Sequence, residues 1–92
     1  MNGWISLIKK IRTKVIGKEA MQYANNNWAE VMKFAGPDNS KWNYIGNFLE
    51  IKTLNGFVRP NEGDWIVKGL GGEFYPCDKK VFFETYDIVD TL

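Results

Sequence analysis

The chain reads as an α+β domain: a mostly antiparallel sheet built from two consecutive β-hairpins plus an N-terminal strand, with one helix packed on a face and short helices at the N- and C-terminal ends. Three stretches predict this. Residues 27–35 place apolar side chains at helical spacing, and residues 48–60 set Asn55-Gly56 between two runs of strand formers. Residues 63–77 flank a glycine-rich turn with two short apolar runs and close on Pro76-Cys77.

Taken in order, Trp4, Leu7, Ile8 and Ile11 recur at i, i+3, i+4 and i+7, which puts them on one face of a short helix with Lys9, Lys10 and Arg12 off that face. Such a helix packs on its own core or forms a partner or self-interface, because one turn and a half offers little membrane anchorage. Residues 13–23 read as a strand interrupted in pattern by Gly17 and Lys18. Asn27 and Glu30 form a capping-box-like start to the main helix. Its apolar face is Trp28, Val31, Met32 and Ala35, with Phe34 at the edge, and Gly36-Pro37 stops it. Residues 38–46 read as a polar loop holding Trp42 and Tyr44.

Asn55-Gly56 suits the two positive-φ positions of a type I′ turn. That register opposes Leu54 to Phe57, Thr53 to Val58 and Lys52 to Arg59. A second hairpin runs over residues 64–70, turns at Gly71-Gly72 and returns through Cys77. Asp78 can cap a last helix that contains Val81 and Phe82 and ends near Tyr86.

Residues 1–92 form one domain, because four Trp, four Tyr and six Phe supply a modest core and no linker divides the chain. One cysteine, Cys77, excludes an intramolecular disulfide and an intrachain four-thiolate zinc site, and fits a reducing cytoplasm. No apolar run is long enough to span a bilayer. The charge is uneven: residues 1–18 carry five basic side chains and no acid, whereas residues 61–92 carry seven acids against three lysines. Such a chain can steer toward an acidic partner or stack on another copy of itself, so a homo-oligomer is expected.

Gly63-Asp64-Trp65-Ile66-Val67-Lys68-Gly69-Leu70-Gly71-Gly72-Glu73-Phe74-Tyr75-Pro76-Cys77, followed by Phe83-Glu84-Thr85-Tyr86, resembles a signature of small proteins of bacteriophages and prophages of Gram-positive bacteria. Further matches are Glu19, Ala20, Gln22 and Tyr23 at a strand end, Asn27, Glu30, Val31, Phe34 and Gly36 on a helix, and Ile51, Thr53, Leu54 and Gly56 at a hairpin. The similarity covers roughly residues 10–88. Asn55, Glu62, Gly71 and Lys79-Lys80 depart from it, residues 1–9 have no counterpart in it, and residues 1–12 read as a family-atypical helical extension. The resemblance implies an accessory protein of the infected bacterial cell, one that counters host immunity by binding a defence protein or the nucleotide signal that activates it.

The residues favour binding over catalysis. Without histidine, the usual general base and the usual activator of a Ser or Cys nucleophile are missing. Cys77 reads as a small packing residue. Glu62, Asp64 and Glu73 could offer carboxylates to a hard cation for phosphohydrolysis, or Asp64 simply forms a turn. Gly71 and Gly72 either serve hairpin geometry or lend N–H groups to a phosphate held by Lys52 and Arg59. Trp28 and Trp65 belong to patterned elements and read as core, while Trp42 and Tyr44 lie where no periodicity buries them and read as a contact surface. Together with the setting that the resemblance implies, these readings lead to the expectation of an inhibitor of a host defence protein acting through Trp42, Tyr44 and the basic N-terminal segment, and alternatively of a sponge for a cyclic or other nucleotide immune signal. No cofactor is implied, and near-neutral charge argues against general nucleic-acid binding.

Overall fold

The computed structural model describes residue 9, residues 17–24 and residues 26–89. The expected N-terminal helix with Trp4, Leu7, Ile8, Lys10, Ile11 and Arg12, and residues 13–16 of the expected strand, lie outside them, while Lys9 is exposed. The elements run β1 (Glu19–Gln22), α1 (Trp28–Ala35), β2 (Ser40–Asn43), β3 (Phe48–Thr53), β4 (Gly56–Val58), β5 (Trp65–Lys68), β6 (Phe74–Cys77) and α2 (Lys79–Thr85).

Two three-stranded antiparallel sheets, ordered β1-β5-β6 and β2-β3-β4, replace the single sheet expected from the sequence. The cause is β2, read as loop. Ser40-Lys41-Trp42-Asn43 alternates inward and outward side chains but is short and polar, so it shows no strand signal until it pairs with β3. A strand has two edges, and β2 and β4 occupy both edges of β3, as β1 and β6 occupy both edges of β5. The hairpins therefore close into separate sheets.

The first hairpin also differs in register. Thr53 faces Gly56, Lys52 faces Phe57 and Ile51 faces Val58, two residues along β4 from the expected pairing. Only Gly56 of this turn takes positive φ, at 102°, whereas a type I′ turn needs two such residues. Thr53 decides the outcome: its Oγ1 accepts from Asn55 N at 3.1 Å and donates to Gly56 O at 2.8 Å, which pins a turn centred one residue earlier. The second hairpin forms where expected, with Trp65 opposite Cys77 and Lys68 opposite Phe74, but β5 stops at Lys68 and the turn closes between Gly69 and Glu73, so Leu70 joins Gly71-Gly72 in the turn. Pro76 is tolerated there because β6 is an edge strand.

α1 spans both sheets, touching β1 and β2, and buries Val31 and Ala35. With Leu49, Ile51, Ile66 and Phe74 these side chains form the core, and Met21, Tyr23, Met32, Phe34 and Trp42 pack around it. Gly36, at φ 87°, ends the helix as expected, and its N–H donates to Met32 O at 2.8 Å. Asn27 does not cap it. Its side chain turns back instead, accepting from Ala24 N and donating to Gln22 O, and so fastens the β1 exit to the helix start. The buried Ser40 Oγ donates to Gly36 O at 2.7 Å and ties the helix end to β2.

The other face of the first sheet is covered by α2. Asp78 accepts from Lys80 N and Val81 N, the expected cap, and the helix inserts Phe82 flat on Trp65 with centroids 4.2 Å apart and planes 5° apart. Buried on one side by the core and on the other by α2, β5 carries the continuous run Trp65-Ile66-Val67 rather than an alternating one. Trp65 Nε1 is buried with no hydrogen-bond partner among the described residues.

Lys18 joins the start of β1 to the end of α2. Its Nζ lies 3.4 Å from both the Tyr75 and the Tyr86 hydroxyls, which are 2.9 Å from each other. Burial, then the Tyr86 hydrogen bond, raises the Tyr75 pKa, and hydrogen bonds to the two tyrosines raise that of Lys18. Both groups hold their protons more tightly in the folded chain, so their contribution is complete below about pH 10 and falls as pH rises through the folded values. We expect alkaline titration, followed by circular dichroism, to show a loss of stability beginning above about pH 10 that is smaller in Tyr75→Phe.

Candidate functional site

The sheet β2-β3-β4 has one face on the core and one open, and register assigns each side chain to a face. Ser40, Trp42, Leu49 and Ile51 point inward; Lys41, Asn43, Phe48, Glu50, Lys52 and Phe57 point outward. Trp42 is thus not on the surface proposed for it. It is half-buried, and its ring lies 4.7 Å from that of Trp28, which sits at the rim at 37% exposure rather than in the core.

Tyr44 is where a contact surface was expected. It stands 83% exposed in the β2–β3 turn, and its neighbour Ile45 is 99% exposed. The turn beneath them is held on every side. Asn43 Oδ1 accepts from Ile45 N at 3.0 Å and Gly46 N at 2.9 Å, and Asn43 Nδ2 donates to Glu50 Oε1 at 2.9 Å. Gly46 lies so close to the Phe48 ring that a Cβ there would collide with it, and Asn47 takes the left-handed conformation at φ 57°. The Arg59 guanidinium covers the Phe48 ring at 4.5 Å. Two large apolar side chains are therefore presented to solvent from a fixed turn, an arrangement that lowers the ordering cost of binding.

The residues considered for an anion pocket are not assembled into one. Lys52 and Arg59 belong to the open side of the second sheet, Trp42 faces the core, and Gly71 and Gly72 lie in the β5–β6 turn of the first sheet. In that turn the Glu73 carboxylate folds against Gly69 and Gly71, so negative charge occupies the place a phosphate would take. Gly69 N and Gly72 N are already bonded to Glu73 O and Gly69 O. A cleft of about 280 Å³ separates this region from the β3–β4 turn, lined by Thr53, Leu54, Asn55, Glu73, Phe74 and Tyr75. It falls just below the roughly 300–1,000 Å³ of small-molecule sites.

No group of three or more His, Cys, Asp or Glu side chains able to hold a metal occurs among the described residues. Asp64 serves the turn, accepting from Asn61 N at 2.9 Å. Cys77 is half-buried, and burial, then the nearby Asp78 and Asp64 charges, pushes its thiol pKa up, away from the nucleophilic thiolate. No described helix is long and apolar enough to cross a membrane.

Ile45 was missed by sequence reasoning, although an isoleucine between Asn43 and Gly46-Asn47 has no patterned neighbour to pack with. Lys41 was missed because it joins this face only once β2 is a strand, and Phe48 and Phe57 because the β3–β4 register, not the expected one, sets Phe57 opposite Lys52. No family model matches the chain, and neither a curated protein nor a solved structure resembles it significantly.

Proposed function

We propose that this chain is a non-catalytic binding protein that grips a partner protein with the Tyr44-Ile45 tip, and that the partner is a bacterial host-defence component blocked during phage infection. The observation that carries the binding reading is the exposure of two adjacent large side chains, Tyr44 at 83% and Ile45 at 99%, on a turn fixed by Asn43, Gly46 and Phe48. Isolated exposed apolar residues are common, but a rigid aromatic-aliphatic pair with its backbone already ordered has the character of an interface anchor. The absence of histidine and the raised pKa of Cys77 support binding over covalent or acid–base chemistry. The phage setting rests on the resemblance of residues 63–77 and the matching helix and hairpin positions.

The test is affinity capture from the bacterial host, followed by measurement with the purified captured protein. Tyr44→Ala/Ile45→Ala should weaken that partner by about 30-fold or more, the effect of losing an anchor worth at least about 2 kcal/mol, while the unfolding midpoint stays put. Unchanged affinity in the double variant would overturn the assignment. Inhibition of the captured protein's own activity by the wild-type chain, lost in the variant, is the expected functional readout.

A further inference from the structure

The open face of the second sheet has a chemistry that the tip does not use. Cross-strand pairing sets Lys41 beside Glu50, Asn43 beside Phe48 and Lys52 beside Phe57, and Arg59 follows β4 to lie over Phe48. Two aromatic rings are thus interleaved with three cations. Lys41 Nζ sits 4.1 Å over the Phe57 ring, which is 43% exposed, and 3.8 Å from Glu50, the one carboxylate among these residues. Neither Lys52 nor Arg59 has a carboxylate at ion-pair distance among the described residues. The face carries a local excess of positive charge although the chain as a whole is near neutral.

We infer that this face binds single-stranded nucleic acid, with Phe57 and Phe48 as stacking platforms and Lys41, Lys52 and Arg59 as phosphate contacts. Phe57 is 43% exposed and Phe48 half-buried, and each carries an exposed cation over its π face, so a base reaches either ring by displacing that cation. A base that replaces the Lys41 ammonium over Phe57 frees an exposed, flexible cation beside the phosphate that accompanies the base. Phe48 and Lys52, which faces Phe57, are four residues apart on β3, so the platforms stand roughly 13 Å apart along the sheet and call for an extended strand. A duplex keeps its bases stacked inside and offers the rings nothing. Charge complementarity and sequence-tolerant stacking select the ligand class, and no base-specific readout is implied.

The experiment uses the full chain with fluorescein-labelled 12-mers of oligo-dT and oligo-U, a 12-base-pair duplex, and heparin as a polyanion without bases. Anisotropy at 50 mM salt should show binding of a single strand in preference to the duplex and heparin. Three phosphate contacts set the slope of log K against log salt near about −2, falling to about −0.7 in Lys52→Ala/Arg59→Ala. Phe57→Ala should lose roughly tenfold in affinity. These side chains are exposed, so the far-ultraviolet spectrum of each variant is expected to match the wild type. Preference for dT or for U distinguishes DNA from RNA, and either supports the proposal. Absence of binding at 50 mM salt, equal binding of heparin or duplex, or an unchanged affinity in Phe57→Ala would overturn it.

Discussion

Phe82→Ala should lower the free energy of unfolding by about 3–5 kcal/mol, read as a fall in the urea midpoint at unchanged slope. Phe82 is the buried residue of α2, and its ring lies parallel to Trp65 while meeting Phe83 and Tyr86 at 5.3 Å. A helix spanning Lys79–Thr85 is too short to persist in water on its own. Removing the ring therefore removes the reason for α2 to stay docked, and the Trp65 ring loses its stacking partner. Hydrogen exchange at the amides of residues 81–86 should accelerate more than exchange in β3. Equal acceleration of both would show that α2 has no separate docking step, and no loss of stability would deny the stack its role.

Ile51→Ala acts at the other layer. Ile51 is fully buried on the central strand of the second sheet, within the cluster of Val31, Ala35, Leu49, Ile66 and Phe74. Truncation to alanine removes apolar contact and leaves a cavity that the β-sheet neighbours cannot collapse into without breaking ladder bonds. The expected cost is about 2–5 kcal/mol. Since a chain of this size has roughly 5–14 kcal/mol in total, the variant should have a markedly lower melting temperature and a visible unfolded fraction under mild denaturant. Ile51→Val, which loses one methylene, should cost only about 0.5–1.5 kcal/mol. A similar fall for both variants would exclude cavity volume as the cause.

Much of the fold was legible because its signals are local. Asp78 two and three residues before free helix amides, Gly36 after the last turn of α1, and glycines between the apolar runs of β5 and β6 each act through their own backbone. What escaped the sequence depends on pairing. β2 has strand geometry only because β3 offers it an edge, and the split into two sheets follows from that pairing. Asn27 has the residue type of a cap, yet the chain brings Gln22 O and Ala24 N within its reach and they take the side chain. Asn55-Gly56 has the composition of a type I′ turn, but the Thr53 hydroxyl stabilises the neighbouring register.

The site divides the same way. Tyr44 stood out because its segment has no periodicity, and that holds in space for the turn, whereas Trp42 two residues earlier is drawn inward by the strand's alternation. Lys52 and Arg59 were rightly placed on one sheet face but with the wrong neighbours: a two-residue shift in pairing, which leaves each side chain on its face, puts Phe57 across from Lys52, and Phe48 lies under Arg59. Aromatic neighbours change what those cations can do. The glycine turn, by contrast, carries the required backbone freedom, and only the fold shows that Glu73 has claimed its concave side.

The pairing of β1 with β5 has a consequence for how the molecule is made. Glu19 meets Lys68, so β1 leaves the ribosome long before its partner exists, while β2, β3 and β4 need only one another. The meander can nucleate during synthesis, and the N-terminal strand has to wait with an unsatisfied edge until the distal hairpin is complete. Late closure of that ladder makes the first sheet the slow half of a small molecule, and the half at which premature association between nascent copies is to be guarded against.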